Sequence, residues 1–100
     1  MRLHSLKLVS IIVESVLKEQ IFEKILELGA TGYSAHASSG YGSRGARLGA
    51  GAEDVQIDVI CPEDVAESIL TYVSLHFFNH YACIAWVTDV GVVRGDRYVR

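Results

Sequence analysis

The spacing of apolar positions changes repeatedly along this chain, and each change marks the boundary of an element. Leu6 to Val13 is a short apolar, β-rich run broken by Lys7 and Ser10, and it reads as a strand. The interval then lengthens, so that Leu17, Ile21, Ile25 and Leu28 share one face of a helix, with Ser15 placed as its N-cap and Gly29 as its stop. Tyr33 to Ser38 reads as a second strand. From Asp54 to Ile60 the alternation is clean: Val55, Ile57 and Val59 lie on one side and Asp54, Gln56 and Asp58 on the other, which is the pattern of a sheet with one wet face. Pro62 suits the first turn of a second helix, Glu63 and Asp64 meet the positive end of its dipole, and Val65, Ile69, Val73 and Phe77 recur every fourth residue. Ile84, Trp86, Val90 and Val92 share one parity of a last long strand that reaches toward Arg94.

The predicted order is βαββαβ. Two helices of this length between strands make an α+β, ferredoxin-like split βαβ sandwich, in which both helices cover one face of an antiparallel sheet. The other face is then uncovered. A small monomer seldom leaves a whole sheet face carrying Val and Trp to water, so the pattern predicts an oligomer that buries it.

Composition narrows the class. At 100 residues, 50% hydrophobic and 21% charged, the chain has the length of a single domain spanning residues 1–100 with a small core. A net charge of -3 argues against nucleic acid as a partner, yet Arg44, Arg47, Arg94, Arg97 and Arg100 are five of only nine basic residues and fall in two clusters. Positive potential is therefore local. The apolar runs are too short to span a membrane or to serve as a signal peptide, which points to the cytoplasm. Cys61 and Cys83 lack zinc-site spacing and, with the first strand between them, are too far apart for a disulfide; they read as core thiols.

The chemistry concentrates after the second strand. Gly40, Gly42 and Gly45 let backbone N–H groups converge on an oxyanion, while Ser43, Arg44 and Arg47 supply charge-assisted hydrogen bonds for a phosphate or carboxylate. Neither the Walker loop nor the dinucleotide fingerprint is present, because no Gly-Lys-Ser/Thr ends the segment and no helix pattern follows it. A surface loop with incidental arginines is the plain alternative.

Four short stretches carry a resemblance: Gly32–Tyr33, Gly40 to Arg47, Phe78 to Ala82, and Val92 to Gly95. In this order, on this string of elements, they resemble the PII-like signalling proteins, and most of all the branch linked to inorganic carbon, which partners bicarbonate transporters or is associated with carboxysomes. The resemblance implies a homotrimer with adenine nucleotides in clefts between subunits, and a flexible T-loop at about residues 40–53 that reports the bound ligand to a partner. It places Gly40, Gly42, Ser43, Arg44 and Arg47 at the base of that loop around phosphate, with Arg94 and Gly95 bordering the same cleft. Tyr33, Ser34 and Tyr81 complete the implied nucleotide site, the tyrosines being able to stack on a base. The ligand it implies is ADP or AMP, with cyclic AMP and ATP as further possibilities and bicarbonate as a co-ligand or as the partner's cargo; no cofactor or metal is expected. The implied partner is a membrane bicarbonate transporter or a carboxysome-related protein, reached from the cytoplasm at the inner face of the membrane.

The chain departs from the family's pattern. No tyrosine stands among Leu48 to Ala52 for modification at the loop tip, and Phe78, Asn79, His80 and Tyr81 replace a basic phosphate-binding turn, which favours mono- and diphosphates. Two other classes compete. A small phosphohydrolase would need a positioned base or metal, and the residues at hand are Asp54, Asp58, His36 and Asp89 in ordinary contexts. A trimeric metal sensor would need convergent ligands, whereas His36, His76 and His80 do not share one certain face.

Overall fold

The computed structural model describes residues 1–38 and 53–99. Strand β1 (His4–Glu14) passes through a 3₁₀ turn (Ser15–Leu17) into helix α1 (Lys18–Glu27). Strands β2 (Ser34–Ser38) and β3 (Asp54–Cys61) follow, then helix α2 (Glu63–Phe77), strand β4 (Cys83–Val92) and a last 3₁₀ turn (Gly95–Tyr98). The sheet order is β2-β3-β1-β4 and every pairing is antiparallel. This is the ferredoxin-like sandwich that the apolar spacing implied.

Register decides which side chains meet. Ile11 lies between Ile57 on β3 and Ala85 on β4, and Val9 between Val59 and Val87, so odd-numbered residues of the three long strands share one face. Ile21 and Ile25 of α1 and Ala66, Ile69, Val73 and Phe77 of α2 close over that face, and Val9, Ile11, Val13, Ile57, Val59 and Cys61 are fully buried beneath them. Two ties fix the far end of the layer. Lys7 Nζ donates to Asp89 and lies 4.0 Å from Glu63, linking β1 to β4 and to the start of α2. The Asp89 hydrogen bond is the main reason that the Lys7 ammonium is held above its ordinary range.

The helix boundaries differ in one respect from the sequence reading. Ser15 is not a side-chain cap. The β1 ladder runs on to the Glu14–Asp54 pair, and the Ser15 N–H still belongs to it, donating to the Glu53 carbonyl at 3.0 Å. Glu14 precedes the 3₁₀ turn, and Leu17 precedes α1 without a side-chain cap. At the other end Gly29 acts as expected: its φ of 118° is open to glycine, and its N–H and that of Ala30 bond back to Leu26 and Ile25. Pro62 stands one position before α2, where its missing N–H costs nothing.

Cys61 is buried in the core and Cys83 is half-buried against it, at opposite ends of β1: Cys61 pairs with Lys7 and Cys83 with Val13, six positions and roughly 20 Å along the strand. Desolvation raises both thiols to about 11, with Asp64 adding to the effect at Cys61. Against an ordinary thiol at 9.0 this leaves about a hundredfold less thiolate at pH 8. Iodoacetamide at pH 8 should therefore label the folded protein far more slowly than the same protein in urea, with Cys61 slowest; equal rates would contradict the burial. Ile57→Ala should cost about 2–5 kcal/mol in urea unfolding because the helices cannot collapse fully onto the gap.

Candidate functional site

The sheet positions the candidate residues at its two ends and along its β2 edge. Tyr33 lies just before β2, and its ring stacks on Phe22 of α1 with centroids 4.3 Å apart and planes 15° from parallel. One ring face is thus occupied within the chain, and the residue remains 40% exposed. Ser34 opens β2 opposite Asp58. Tyr81 is half-buried in the turn after α2, where its N–H donates to the Phe77 carbonyl at 3.0 Å and its ring meets Phe77 edge-on at 5.9 Å.

Arg94 and Gly95 stand elsewhere. Beyond β4, Arg94 takes a left-handed conformation with φ 62°, and Gly95 turns in against the start of β1. A Cβ on Gly95 would fall 2.3 Å from the His4 Cβ, so only glycine fits that approach. Arg94 is exposed, with Arg97 three positions on; the Arg97 N–H donates to the Arg94 carbonyl at 3.1 Å. Between Tyr81 and Arg94 runs the whole of β4, Cys83 to Val92, which spans roughly 30 Å. Within one chain Tyr81 and Arg94 therefore do not meet, and the cleft that the resemblance implied was one between subunits. Gly40, Gly42, Ser43, Arg44 and Arg47 lie outside the described residues.

The end of the sheet that carries Tyr81 also carries the roots of the glycine- and arginine-rich segment. Ser38 closes β2 opposite Asp54, Asp54 pairs with Glu14, and Glu14 Oε2 accepts the Ala82 N–H at 3.2 Å. Sequence reasoning missed Glu14, since periodicity shows only that an apolar strand has ended there. The alternation of β3 places Gln56 and Asp58 on the open sheet face, but it does not show that Ser10 of β1 joins them there. Ser10, 2% exposed, donates to Asp58 Oδ1 at 2.8 Å, and Gln56 Nε2 donates to the same oxygen at 3.2 Å. Toward β4 this face also carries apolar side chains: Ile84 is 56% and Trp86 39% exposed, with Leu8 and Ile12 of β1 and Ile60 of β3 on the same face.

Among the described residues no three His, Cys, Asp or Glu side chains converge to hold an ion. His76 Nδ1 is 2.9 Å from the Tyr72 carbonyl, which engages it within its own helix. No helix among the described residues is long and apolar enough to cross a membrane.

Comparison with known proteins gives the same architecture a lineage. Residues 6–97 match the family model described as nitrogen regulatory protein P-II. A solved structure from Thermus thermophilus, described as a PII-like signaling protein, is 42% identical, with 99% of this chain and 100% of that chain covered and a TM-score of 0.87. CPII from Thiomonas intermedia, solved bound to ADP and bicarbonate, is 26% identical over 97% of each chain, with a TM-score of 0.86. A further CPII structure, bound to ADP, AMP and bicarbonate, aligns at 24% identity over 97% of this chain and 96% of that chain with a TM-score of 0.85, and supports the fold.

The close approach at Gly95 is directly testable. Gly95→Ala should force the turn away from His4 and lower stability by about 1–3 kcal/mol in urea unfolding. Arg94→Gly, which removes the side chain from a left-handed position, should cost nothing in the same assay or stabilise slightly. A neutral Gly95→Ala would mean that the turn is not packed as described.

Proposed function

This chain belongs to the nitrogen regulatory protein P-II family, and we propose that it is a PII-like regulator that binds an adenine nucleotide between subunits and signals its occupancy to a protein partner. The observation that carries this reading is the likeness, over nearly the full length, to CPII in its ADP- and bicarbonate-bound form. The separation of Tyr81 from Arg94 is compatible with a site shared between copies. Because β4 holds them roughly 30 Å apart, both can face one ligand only when two copies supply them. The open sheet face with Ile84 and Trp86 exposed gives those copies a surface to bury, in keeping with a homotrimer.

In this reading residues 1–100 act as one PII-like unit. Gly40, Gly42, Ser43, Arg44 and Arg47 hold phosphate from one copy, Arg94 and Gly95 approach from the next, and Tyr33, Ser34 and Tyr81 line the base and ribose side. Guanidinium forks suit both phosphate and a planar anion such as bicarbonate. The turn at Phe78 to Tyr81 has no Lys or Arg, so ADP and AMP are preferred to ATP, with cyclic AMP to be compared beside them. The activity is regulatory and not catalytic. Its output is the posture of the segment at about 40–53, read by a partner in inorganic-carbon uptake or fixation: a membrane bicarbonate transporter or a carboxysome-related protein. The protein would then work in the cytoplasm, at the inner membrane face when the partner is a transporter.

Titration calorimetry with ADP, AMP, ATP, cyclic AMP and bicarbonate tests the reading. Arg44→Ala and Arg47→Ala should each weaken ADP binding by about 1.5–3 kcal/mol, the worth of a charge-assisted phosphate contact. Unchanged affinity in both removes the segment from the site. Sedimentation should give a trimer, and a stable monomer at micromolar concentration would exclude an inter-subunit site.

A further inference from the structure

At the Tyr81 end of the sheet, one short junction touches both flanks of the candidate site. The β1–β4 ladder closes at Val13 and Cys83, so the next register position sets Ala82 opposite Glu14. There β1 leaves the sheet for its 3₁₀ turn. The Glu14 side chain takes over where the ladder stops: its Oε2 accepts the Ala82 N–H at 3.2 Å. Ala82 follows Tyr81 directly, and Tyr81 is itself fastened to Phe77 through its N–H and its ring. On the opposite side Glu14 is the last partner of Asp54, and the Ser15 N–H donates to the Glu53 carbonyl at 3.0 Å. Glu53 and Asp54 are the described root of the glycine- and arginine-rich segment.

We propose that Glu14 is a positioning residue: its carboxylate locks the Tyr81 turn to the β1–α1 junction that also holds the Glu53 root, so that the two flanks of the nucleotide site move as one body. The role rests on the nucleotide reading above. A carboxylate hydrogen-bonded to a main-chain N–H is a strong local tie, and here it spans elements far apart in sequence. Glu14 and Asp54 are like charges on directly paired positions, an arrangement that costs stability in a sheet. The bond to Ala82 is one favourable contact that the Glu14 carboxylate makes at this strand end. Ligand contact at Tyr81 is then felt at Glu53 through two hydrogen bonds, the Glu14 side chain and the Tyr81–Ala82 and Glu14–Ser15 peptide units.

Three variants separate reach from charge. Glu14→Gln keeps an oxygen that can accept the same N–H, Glu14→Asp keeps the charge but falls short of it, and Glu14→Ala has neither. Amide hydrogen exchange, with the Ile57 amide as control for an intact core, should show Ala82 exchanging about tenfold faster or more in the Ala and Asp variants. The Ser15 amide should loosen with it. ADP affinity, read by calorimetry, should fall about fivefold or more in the same two variants, whereas Glu14→Gln, whose neutral oxygen accepts a weaker bond, stays nearer wild type than Glu14→Ala in all three readouts. Faster exchange at Ala82 with Ser15 unchanged overturns the coupling, and freed Ala82 with unaltered ADP affinity overturns the positioning role. A Gln variant as impaired as the Ala variant overturns the hydrogen-bond account. If the wild-type protein takes up no ADP, the nucleotide reading falls, and the proposal stands or falls on Ser15 exchange alone.

Discussion

Everything in this molecule depends on the one-sided burial of its two central strands. β1 is hydrogen-bonded on both sides, and its odd positions Val9, Ile11 and Val13 form a continuous apolar face with Val55, Ile57, Val59 and Cys61 of β3. A slip of one residue in either pairing would turn that face to the wrong side of the sheet, so the register is strongly held. Polar side chains reinforce it from above and below. Lys7 reaches Asp89 across β4, and Ser10 reaches Asp58 across β3, each joining residues that the register already places opposite one another.

The consequence is a helix layer on one side and an unfinished surface on the other. Ile84 and Trp86 point away from the helices, while the Ser10–Asp58–Gln56 row interrupts the apolar area with satisfied hydrogen bonds. A surface of this kind suits self-association, because apolar area supplies the driving force and fixed polar groups restrict how copies can align. The same sheet carries candidate binding groups to both ends of its strands. A fold that keeps Tyr81 and Arg94 so far apart gains a shared site only through assembly, which makes oligomerisation and ligand binding two aspects of one proposed device.

Much of the architecture was legible from residue spacing. The strict alternation of Val55, Ile57 and Val59 marked β3, the fourfold spacing of Ile69, Val73 and Phe77 marked α2, and Gly29 marked the end of α1 through a φ that only glycine adopts readily. These features are local consequences of side-chain periodicity and backbone sterics, so a linear pattern suffices to express them. The basic cluster around Arg44 and Arg47 was equally visible as composition, and the short motifs in register pointed to the PII family that the chain belongs to.

The tertiary structure decided what spacing could not express. Ser15 read as a cap because nothing local shows that the ladder with Glu53 still claims its N–H. The stacking of Tyr33 on Phe22, the contact of Gly95 with His4, and the bond from Ala82 to Glu14 all join residues from different elements, and their existence depends on strand order and register. The motifs by themselves gave no distance between Tyr81 and Arg94 within one chain. The length of β4 sets them at opposite ends of the sheet. The sequence by itself determined which faces are apolar, since that is fixed by the period of each segment; only the folded chain determined which distant groups share an end, since that is fixed by how the segments pair.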